Sequence, residues 1–365
     1  MRVLELIADG DQGGAQRHVW ELVVALTQDS PVLATGSFGW LSERCLAKDV
    51  PVTLIPGLSR NASLAHLAEA RRELAALIQR EEGIELVHAH GAKALFLAKL
   101  ALTASRPPLV ATSHGLASAD PTRPAVMRAG LAVLERWKRG RVQAWIGVSG
   151  RECELAGRLG IPVSRIHRIP NGVTLGPDPA PRQGTVRRLA FVGRLVAEKG
   201  VHLLPEIARA LPPGATLHVA GEGPLRTWLE RQAEKPLVQG RMVLSGWVDP
   251  VRPWLAQMDG FVLPSRKEGL PYALLEAAAE ALPIVAFAVG GVGDVLVEGV
   301  SGRVVPAGQD GAFLLAVQEL FCRERLRPWD LGRRAREAVR QRFTVEQMRQ
   351  DTLALYRGLL REEAT

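Results

Sequence analysis

Two carboxylates eight residues apart stand out in the stretch PSRKEGLPYALLEAAAEALP, residues 264–283. Glu268 lies beside Arg266 and Lys267, just before a Gly-Leu-Pro helix start. Glu276 lies inside the Ala- and Leu-rich helix that follows, whose other residues are typical of a protein core. A carboxylate accepts hydrogen bonds and donates none, so it binds vicinal hydroxyls and repels phosphate. The spacing predicts that the two acids contact hydroxyls at opposite ends of one ligand.

Two cations precede these acids in the chain. Arg194 and Lys199 lie in GRLVAEKG, one of four glycine-containing turns that follow successive predicted strands. In doubly wound sheets, ligands bind where loops leave the carboxyl ends of the strands, so these turns should converge on one crevice. Two cations and the amides of glycine-rich turns form a site for a pyrophosphate. The four turns are GRLVAEKG at 193–200, GEGPL at 221–225, PSRKEGLP at 264–271 and GGVGD at 290–294.

The helix that carries Glu276 offers a further contact to phosphate. Its N-terminus, near Pro271, has free N–H groups and a partial positive charge, which favours an anion by about 0.3–1 kcal/mol at exposed sites. Glu276 then lies about one and a half turns, roughly 7–8 Å, along the axis, within reach of an attached ribose. Taken singly, each residue also fits an ordinary surface charge or turn. The four elements together, at this spacing, predict a site for a nucleotide-sugar.

Short β-branched runs alternate with segments of helical period, which indicates parallel sheets covered by helices. The Pro- and Gly-rich segment 171–186 interrupts this alternation and is predicted to be a linker. The α/β fold class expected is therefore two Rossmann-like domains facing a cleft, with the C-terminal helix crossing back to the first domain. The predicted boundaries are 1–170, the linker 171–186, 187–345, and a C-terminal helix at 346–365.

Composition narrows the class of protein. At 365 residues with 47% hydrophobic and 23% charged residues, the chain suits a soluble two-domain protein. Its net charge of +8 favours acidic partners such as nucleotides or anionic lipid. Three scattered cysteines argue against a disulfide framework and against a cysteine zinc site, which favours a reducing cytoplasm. No signal peptide is expected, and the apolar stretch 272–297 is interrupted by charges and a proline, so no spanning helix is expected either.

Several motifs together resemble a known family. The stretch EGLPYALLE resembles the E-x7-E pattern of the retaining glycosyltransferases with the two-Rossmann GT-B fold, which are the family 4-like members of the glycosyl transferases group 1. The resemblance covers nearly the whole chain and is more specific in the C-terminal half. Its other motifs, in the family's order, are GGAQRHVWEL, IPNGV, FVGRLVAEKG, VAGEGPL and GGVGDVLVEGVSGRVV.

The resemblance implies roles for particular residues of the predicted second domain. Arg194 and Lys199 would hold the donor diphosphate, and Glu276 the ribose hydroxyls. Glu268 would contact the donor sugar together with neighbouring backbone. The remaining donor-binding positions that the resemblance implies are Gly221, Trp247, Val248, Gly269 and Leu270.

Three residues of the first domain complete the implied site. Gly13 and Gly14 would approach the phosphates, and His114 would lie near the reacting carbon. The loop has Gln16 where the family often has glutamate. The catalytic set that the resemblance implies is His114, Glu268, Arg194 and Lys199, with no metal and no cofactor.

The implied activity is retaining transfer of a hexose-type sugar from a nucleotide-diphosphate donor. UDP is favoured over GDP, and the acceptor is a glycan or a lipid-linked sugar in cell-envelope polysaccharide, lipopolysaccharide or glycolipid biosynthesis. Arg194 and Lys199 would neutralise the leaving diphosphate without a metal. The acceptor hydroxyl would attack from the same face, and the β-phosphate would take its proton. The protein is expected in the cytoplasm, where it could also bind peripherally to the inner face of the cell membrane.

Other functions remain as alternatives. A GT-B-fold epimerase shares the donor site, whereas a phosphorylase would need a pyridoxal-binding lysine. An oxidoreductase is disfavoured because ADGDQGGAQRH is not a G-x-G-x-x-G turn. A nucleic-acid binder, suggested only by the charge, lacks aromatic platforms. DGD at 9–11 resembles a metal motif of another fold, but nothing near it in the sequence resembles that fold. His88 and His90 are expected on alternating faces of a strand, where they could not bind one metal ion together. Neither pattern therefore predicts a metal site.

The segment 123–141 is strongly basic, with six basic residues against one acid, Glu135, hence a net charge of +5. Met127, Leu134 and Trp137 recur at helical spacing, with basic residues on another face. Such a helix suits an anionic membrane surface, and it equally suits an ordinary packed helix with solvated arginines. The sequence leaves both interpretations open.

Overall fold

The computed structural model describes residues 1–362, apart from 60–61, 82, 103–106, 122, 138, 181–183 and 323–326. The described chain forms two compact units. Unit 1 comprises Met1–Asn171 and Val345–Thr365, and unit 2 comprises Gly172–Thr344.

Unit 1 is built on a parallel sheet of seven strands among the described residues, in the order β3-β2-β1-β4-β5-β6-β7. Most of these strands are nearly continuous apolar runs, as expected for a sheet covered on both faces. The strands are β1 (Arg2–Ile7), β2 (Val32–Thr35), β3 (Val52–Leu54), β4 (Ile84–His90), β5 (Leu109–Ser113), β6 (Ala144–Gly147) and β7 (Ile166–Arg168). The helices between them are α1 (Gly14–Ala25), α2 (Trp40–Leu46), α3 (Leu67–Arg80), α4 (Ala92–Ala101), α5 (Ala125–Arg136) and α6 (Gly150–Arg158).

Unit 2 repeats the same plan with six parallel strands, in the order β10-β9-β8-β11-β12-β13. The strands are β8 (Arg188–Val192), β9 (Thr216–Ala220), β10 (Met242–Gly246), β11 (Gly260–Leu263), β12 (Ile284–Phe287) and β13 (Arg303–Val305). The helices are α7 (Leu204–Ala210), α8 (Arg226–Ala233), α9 (Val251–Leu255), α10 (Tyr272–Ala279), α11 (Val292–Val295), α12 (Asp310–Glu319) and α13 (Pro328–Arg342). The predicted α/β fold class is therefore confirmed.

The last helix, α14 (Val345–Glu362), belongs to unit 1, as predicted for a helix that returns to the first domain. Its Met348 and Tyr356 are buried in a core cluster with Val3 of β1 and Leu86 of β4. Side chains alternate along a strand, so Leu4 of β1 packs in the core cluster on the other face of the sheet. Within the described ranges, no helix combines the length and apolar character that crossing a bilayer requires.

The helices and strands differ from the sequence expectation at a few places. β7 was not predicted, because its three residues directly precede the Pro-rich segment and carry no clear alternation. The helical period of residues 64–80 predicts one helix, whereas the structure has a short 3-10 turn followed by α3. The helical period of residues 15–27 predicts another, whereas α1 ends at Ala25 and a 3-10 turn continues from Thr27.

In both units the strand order reverses next to the first strand, between β1 and β4 and between β8 and β11. Loops that leave the two strands at such a switch point diverge and leave a crevice at the carboxyl edge of the sheet. The carboxyl ends of β8 and β11 lead directly to the loops of Arg194 and Glu268. The topology thus brings the predicted cations and acids of unit 2 to one edge.

Arg336 of α13 is a buried cation that ties the start of unit 2 to helix α10. Its guanidinium donates to the carbonyl of Ala279, at the C-terminus of α10, and to the carbonyls of Gly176 (2.9 Å) and Pro177 (3.1 Å). It also pairs with the carboxylate of Asp178 at 2.9 Å. A charged donor at a helix C-terminus satisfies carbonyls that have no partner within the helix.

We expect Arg336→Ala to lower the free energy of unfolding of unit 2 by about 3 kcal/mol, because several carbonyl oxygens lose their charged donor. The matched control is Arg333→Ala in the same helix, whose side chain is 75% exposed. The control should change the stability by less than about 0.5 kcal/mol. Urea unfolding of both variants measures the difference, and equal effects would contradict the role given to Arg336.

Candidate functional site

Five of the loops that leave the carboxyl edge of the unit 2 sheet lie side by side. They follow five strands, which are β10, β9, β8, β11 and β12 in spatial order. The predicted residues lie on them in the same order, with Trp247 after β10, Gly221 after β9, Arg194 after β8 and Glu268 after β11. The structure therefore brings the sequence-predicted residues of unit 2 together at one edge.

Backbone hydrogen bonds join the loops after β8, β9 and β10. The N–H of Gly193 donates to the carbonyl of Ala220 at 3.0 Å, and the N–H of Leu195 to that of Glu222 at 2.8 Å. The N–H of Gly221 donates to the carbonyl of Gly246 at 2.7 Å. Gly221 has φ +144°, and a Cβ there would overlap the carbonyl oxygen of Gly193. Only glycine allows these two loops to approach so closely.

The loops after β8, β11 and β12 are joined in the same way. The N–H of Arg266 donates to the carbonyl of Glu198 at 2.8 Å, and the N–H of Gly291 to that of Gly269 at 2.6 Å. Gly290 has φ +53°, and a Cβ there would overlap the carbonyl oxygen of Glu268. The loop that carries Glu268 is thereby held by the loop after β8 on one side and by the loop after β12 on the other.

Lys199 and Glu268 form a close ion pair. The Lys199 ammonium donates to both carboxylate oxygens at 2.7 Å. The Glu268 side chain is 6% exposed and that of Lys199 is 24% exposed. Because an ammonium has three N–H donors, one remains for another anion. No local sequence pattern predicts this pairing, because the two residues are 69 positions apart.

Arg194 differs from Lys199 in its surroundings. It is exposed at the start of its loop. Among the residues that the structure describes, its guanidinium makes no hydrogen bond or ion pair. Its planar fork of donors therefore remains open to a phosphate at the same edge of the sheet.

The structure explains the acid inside helix α10. Tyr272, Leu274, Leu275 and Ala277 of this helix are buried in unit 2. Glu276 is half-buried on the side that is not packed into the core. It is the fifth residue of the helix, about 6 Å along the axis from Tyr272 at 1.5 Å per residue. The helix is therefore a core helix with one acidic position just past its middle.

The remaining predicted residues of unit 2 contribute apolar side chains and backbone at the same edge of the sheet, and none of them is charged. The Trp247 side chain is 50% exposed. Val248 is half-buried, and Gly269 and Leu270 are buried at the start of α10. An exposed indole at this edge offers a flat apolar surface to a ligand.

In unit 1, Gly13 and Gly14 lie where the loop after β1 enters helix α1. Gly13 is extended and precedes the helix, which Gly14 begins. The buried Gln16 amide donates to the carbonyl of Asp9 at 2.9 Å, which ties the helix start to the loop. The Asp9 carboxylate accepts a hydrogen bond from the Ser59 hydroxyl at 3.1 Å. The glutamine thus has a structural partner at the position where the family often has glutamate.

His114 follows β5 and belongs to a buried polar cluster in unit 1. It is half-buried, and its Nε2 lies 3.2 Å from Nδ1 of His90. His90 Nε2 in turn lies 2.6 Å from the carboxylate of Glu5. The motifs did not point to Glu5, although a single acid within the apolar run RVLELI was a usable signal. Side-chain alternation places it on the face of β1 that α14 covers.

His88 joins the same cluster from the other side. Its Nδ1 contacts the hydroxyl of Tyr356, and its Nε2 lies 2.6 Å from the hydroxyl of Thr112. The Tyr356 hydroxyl donates to Glu5 at 3.2 Å. The expectation that His88 and His90 lie on alternating faces is wrong, because residues two apart in a strand point the same way. Their ring centroids are 4.0 Å apart.

Burial shifts the protonation equilibria of this cluster. Desolvation raises the pKa of Glu5 to about 8, and the hydrogen bond from Tyr356 opposes this shift. Desolvation lowers the pKa of His18 and of His90 to about 3. It also lowers the pKa of His88 and of His114 well below the usual range, with neighbouring histidines contributing. The imidazoles are therefore neutral at physiological pH.

Two triads in the cluster are close enough to share a metal ion. They are His18, His90 and His114, and Glu5, His88 and His90, each with ligand atoms within 4.8 Å of one another. His18 Nδ1 lies 3.0 Å from the Asn171 amide oxygen, and its buried Nε2 has no partner among the described residues. The contact between His90 and His114 has hydrogen-bond geometry, so a shared metal would replace an existing bond. The absence of a metal remains a prediction.

Two family models match separate parts of the chain. Residues 186–323 match the model of the glycosyl transferases group 1, and residues 12–176 match that of glycosyltransferase family 4. The two-Rossmann fold with its loops at the carboxyl edges is that of a GT-B protein. Together these findings show that the chain belongs to the group 1 glycosyltransferases with the GT-B fold.

Curated relatives and solved structures are consistent with this family. A glycogen synthase of Mycobacterium tuberculosis is 36% identical over 203 residues, 53% of this chain and 47% of that protein. The chain thus spans about half the length of this relative. A UDP-Gal:α-D-GlcNAc-diphosphoundecaprenol α-1,3-galactosyltransferase of Escherichia coli is 28% identical over 266 residues, 67% of this chain and 68% of that protein.

A solved structure supports the fold over the whole chain. The Anabaena protein HepE in complex with UDP-glucose has a TM-score of 0.81 and 20% identity. The match covers 97% of this chain and 99% of that one. At this identity the likeness establishes the fold.

We expect the free energy of unfolding to fall as the pH is lowered from 7 to 5. His18, His88, His90 and His114 have lowered pKa values, so the unfolded chain binds more protons than the folded one below about pH 6.5. Each histidine then lowers the stability by up to about 1.4 kcal/mol per pH unit. Glu5 acts in the opposite direction, because its raised pKa contributes stability that is lost as pH rises from about 4.5 to about 8.

Urea unfolding at pH 5, 6, 7 and 8 measures this profile, whose maximum is expected near neutral pH. His66→Gln is the control, since His66 is exposed and its removal should leave the slope unchanged. A flat profile between pH 5 and 7 would contradict the buried neutral state of the four imidazoles.

Proposed function

We propose that the protein is a retaining, metal-independent glycosyltransferase that moves a hexose-type sugar from a UDP-sugar to a glycan or lipid-linked acceptor in cell-envelope polysaccharide or glycolipid synthesis. The observation that carries the proposal is the convergence of Arg194, Lys199, Glu268 and Glu276 at one sheet edge of unit 2. The family membership agrees with it.

The two cations neutralise the charge that develops on the leaving diphosphate. The exposed Arg194 fork binds phosphate oxygens, and Lys199 donates its remaining N–H. Glu268 keeps the ammonium in place through two 2.7 Å hydrogen bonds, so little reorganisation accompanies donor binding. The N-terminus of α10 adds a partial positive charge.

The two acids recognise hydroxyls on either side of the diphosphate. Glu276 accepts from the ribose hydroxyls, and Glu268 faces the donor sugar with the backbone of Gly269 and Leu270. Carboxylates suit this task because they accept several hydrogen bonds at once. Trp247 and Val248 contact the base.

Unit 1 contributes residues that the family resemblance assigns to the same reaction. Gly13 and Gly14 leave room for phosphate oxygens next to the backbone, and His114 contacts the donor sugar near the reacting carbon. The bond between the anomeric carbon and the diphosphate oxygen breaks, and the acceptor oxygen bonds to the same face of that carbon. The proton of the acceptor hydroxyl passes to the leaving β-phosphate.

The choice of UDP and of a lipid-linked acceptor is supported by proteins with related sequence or fold. The Anabaena structure contains UDP-glucose, and the name of the E. coli relative gives UDP-Gal and a diphosphoundecaprenol-linked acceptor. The basic segment 123–141 is consistent with an acceptor at an anionic membrane surface.

Helix α5 has the surface that membrane binding needs. Its described apolar side chains are largely exposed, including Val126 at 86%, Val133 at 67% and Met127 at 51%. The one acid of the segment, Glu135, is buried and bonded to Ser118. The outward surface is therefore apolar and basic, although Lys138 lies outside the described residues. We propose that this helix binds anionic lipid peripherally.

A donor panel with variants tests the proposed activity. We expect wild-type protein to hydrolyse or transfer sugar from UDP-hexoses, and Lys199→Ala to lower kcat/KM by about 10²–10³-fold, because a preorganised charge at the leaving group is lost. Lys199→Arg should retain more activity than Lys199→Ala. Product release from each donor, measured at several donor concentrations, gives kcat and KM.

The matched control is Lys235→Ala, an exposed lysine between α8 and β10, at the opposite edge of the sheet. It should leave both constants unchanged. Unchanged turnover and donor affinity in Lys199→Ala would refute the diphosphate role, and no turnover of any nucleotide-sugar by wild-type protein would refute the function.

Liposome flotation at low salt tests the proposed lipid surface. We expect binding to vesicles of phosphatidylglycerol and phosphatidylcholine, and a drop of roughly 30-fold in partitioning for Arg136→Ser/Arg139→Ser, at about 1 kcal/mol per basic residue. The control Arg333→Ser/Arg334→Ser removes the same charge from unit 2 and should bind as wild type does. Equal binding by both pairs, or none by wild type, would contradict the proposal.

A further inference from the structure

The buried polar cluster of unit 1 contains an acid, Glu5, that has no role in the proposed reaction. Glu5 is fully buried, and among the described residues no lysine or arginine pairs with it. Burying a carboxylate is costly unless hydrogen bonds or a proton compensate. Hydrogen bonds with neutral imidazoles and a phenol offset the cost of burying the Glu5 carboxyl group. The position of each proton in the cluster therefore determines which of these groups donate and which accept.

Glu5, His90 and His114 form a chain of contacts. The Glu5 oxygen Oε2 lies 2.6 Å from His90 Nε2, and His90 Nδ1 lies 3.2 Å from His114 Nε2. His114 Nδ1, at the end of the chain, has no hydrogen bond to the described residues, and His114 is only half-buried. The chain thus connects a fully buried carboxyl group with an accessible ring nitrogen.

A second set of contacts, through Tyr356, His88 and Thr112, determines whether the other Glu5 oxygen, Oε1, donates or accepts a hydrogen bond. The Tyr356 hydroxyl donates to Glu5 Oε1 at 3.2 Å. His88 Nδ1–H can then donate to the phenol oxygen, and the Thr112 hydroxyl donates to His88 Nε2 at 2.6 Å. In this arrangement the phenol and His88 each donate one hydrogen bond and accept one. Oε1 is therefore an acceptor, and any proton that Glu5 carries is on Oε2, facing His90.

Each neutral imidazole has one N–H, so only two arrangements satisfy the chain. When Glu5 is ionised, His90 Nε2–H donates to Oε2 and His114 Nε2–H donates to His90 Nδ1, which leaves a lone pair on His114 Nδ1. When Glu5 is protonated, Oε2–H donates to His90 Nε2, His90 Nδ1–H donates to His114 Nε2, and His114 Nδ1 carries the proton. Addition of one proton at His114 Nδ1, with a shift along both hydrogen bonds, converts the first arrangement into the second.

We propose that Glu5 and His90 are positioning residues that set the tautomer of His114. With Glu5 protonated, His114 Nδ1 donates a hydrogen bond, and with Glu5 ionised it accepts one. This step rests on the proposed function: the partner of His114 Nδ1 is an oxygen atom of the sugar of the nucleotide-sugar. At neutral pH, His114 Nδ1–H donates a hydrogen bond to that oxygen.

The surroundings of Glu5 are consistent with a proton gained near neutral pH. Its pKa is raised to about 8 by burial. The titratable groups that face it are His88 and His90 of β4, Tyr356 of α14 and Cys45 of α2, with His18 and His114 beyond His90. The pKa of the Cys45 thiol is raised to about 12, and burial raises the pKa of the Tyr356 phenol well above its usual range, so Glu5 is the group in this set that changes charge near pH 8.

Nitrogen-15 NMR of protein labelled at its histidines tests the proposal without any substrate. In wild-type protein we expect the two ring nitrogens of His114 to exchange their roles between pH 6.5 and 9.5, with a midpoint near 8 and a tenfold change in tautomer ratio per pH unit. A His114 that keeps one tautomer across this range would overturn the proposal. Because no donor is present, this result is independent of whether the protein transfers sugar.

Two variants separate the relay from a merely structural role. In Glu5→Gln the amide oxygen accepts from Tyr356 and the amide N–H donates to His90, so His114 should carry its proton on Nδ1 at every pH. Tyr356→Phe keeps the carboxyl group but removes a hydrogen bond that lowers its pKa, so the midpoint should move upward. A pH-dependent tautomer in Glu5→Gln, or an unmoved midpoint in Tyr356→Phe, would contradict the proposal.

With the donor substrate, the KM of wild-type protein should rise above pH 8, whereas that of Glu5→Gln should stay constant. An identical KM profile in both proteins would overturn the link between the relay and donor binding. If Glu5→Gln does not fold, the wild-type titration and Tyr356→Phe still decide the proposal.

Discussion

All strands within each sheet run parallel, and this constraint determines where chemistry can occur in the molecule. Parallel strands require that their following loops leave at one edge, so residues far apart in the chain meet there. Lys199 and Glu268 are brought into contact across 69 positions in this way. The glycines at 221 and 290 allow the loops to approach within hydrogen-bonding distance of each other, and larger residues would push them apart. The geometry of the donor-side residues is therefore a consequence of sheet topology and of a few small side chains.

Two polar networks, one in each unit, are stabilised by different means. In the network of unit 2, full charges pair with opposite charges or with carbonyls, as Lys199 does with Glu268 and Arg336 with the end of α10. In unit 1, the cluster around Glu5 contains no described lysine or arginine, and neutral imidazoles supply the hydrogen bonds. Protonation can rearrange the second kind of network and leaves the first largely unchanged, because a guanidinium and an ammonium keep their protons at ordinary pH.

Much of the fold could be predicted from the sequence, because long runs such as AWIGVS and IVAFAVGG have the composition of buried parallel strands. The loops of Arg194, Glu268 and Gly221 were predictable for the same reason, since each follows such a run. The ion pair between Lys199 and Glu268 was not, because pairing across two loops depends on side-chain positions that no local pattern encodes. The partners of Glu5 were not predictable, because Tyr356 lies 351 positions away in the chain. The shared strand face of His88 and His90 was predictable, because residues two apart in a strand point the same way.

Unit 1 is discontinuous in the chain, since α14 follows all of unit 2. During synthesis, the contiguous stretch 172–344 is available to fold while the first sheet still lacks the helix that covers β1 and β4. The apolar face of that sheet and the carboxyl group of Glu5 stay uncovered until α14 has been synthesised. A product that stops before α14 therefore keeps an unprotected hydrophobic surface, which is the feature that chaperones and proteases recognise.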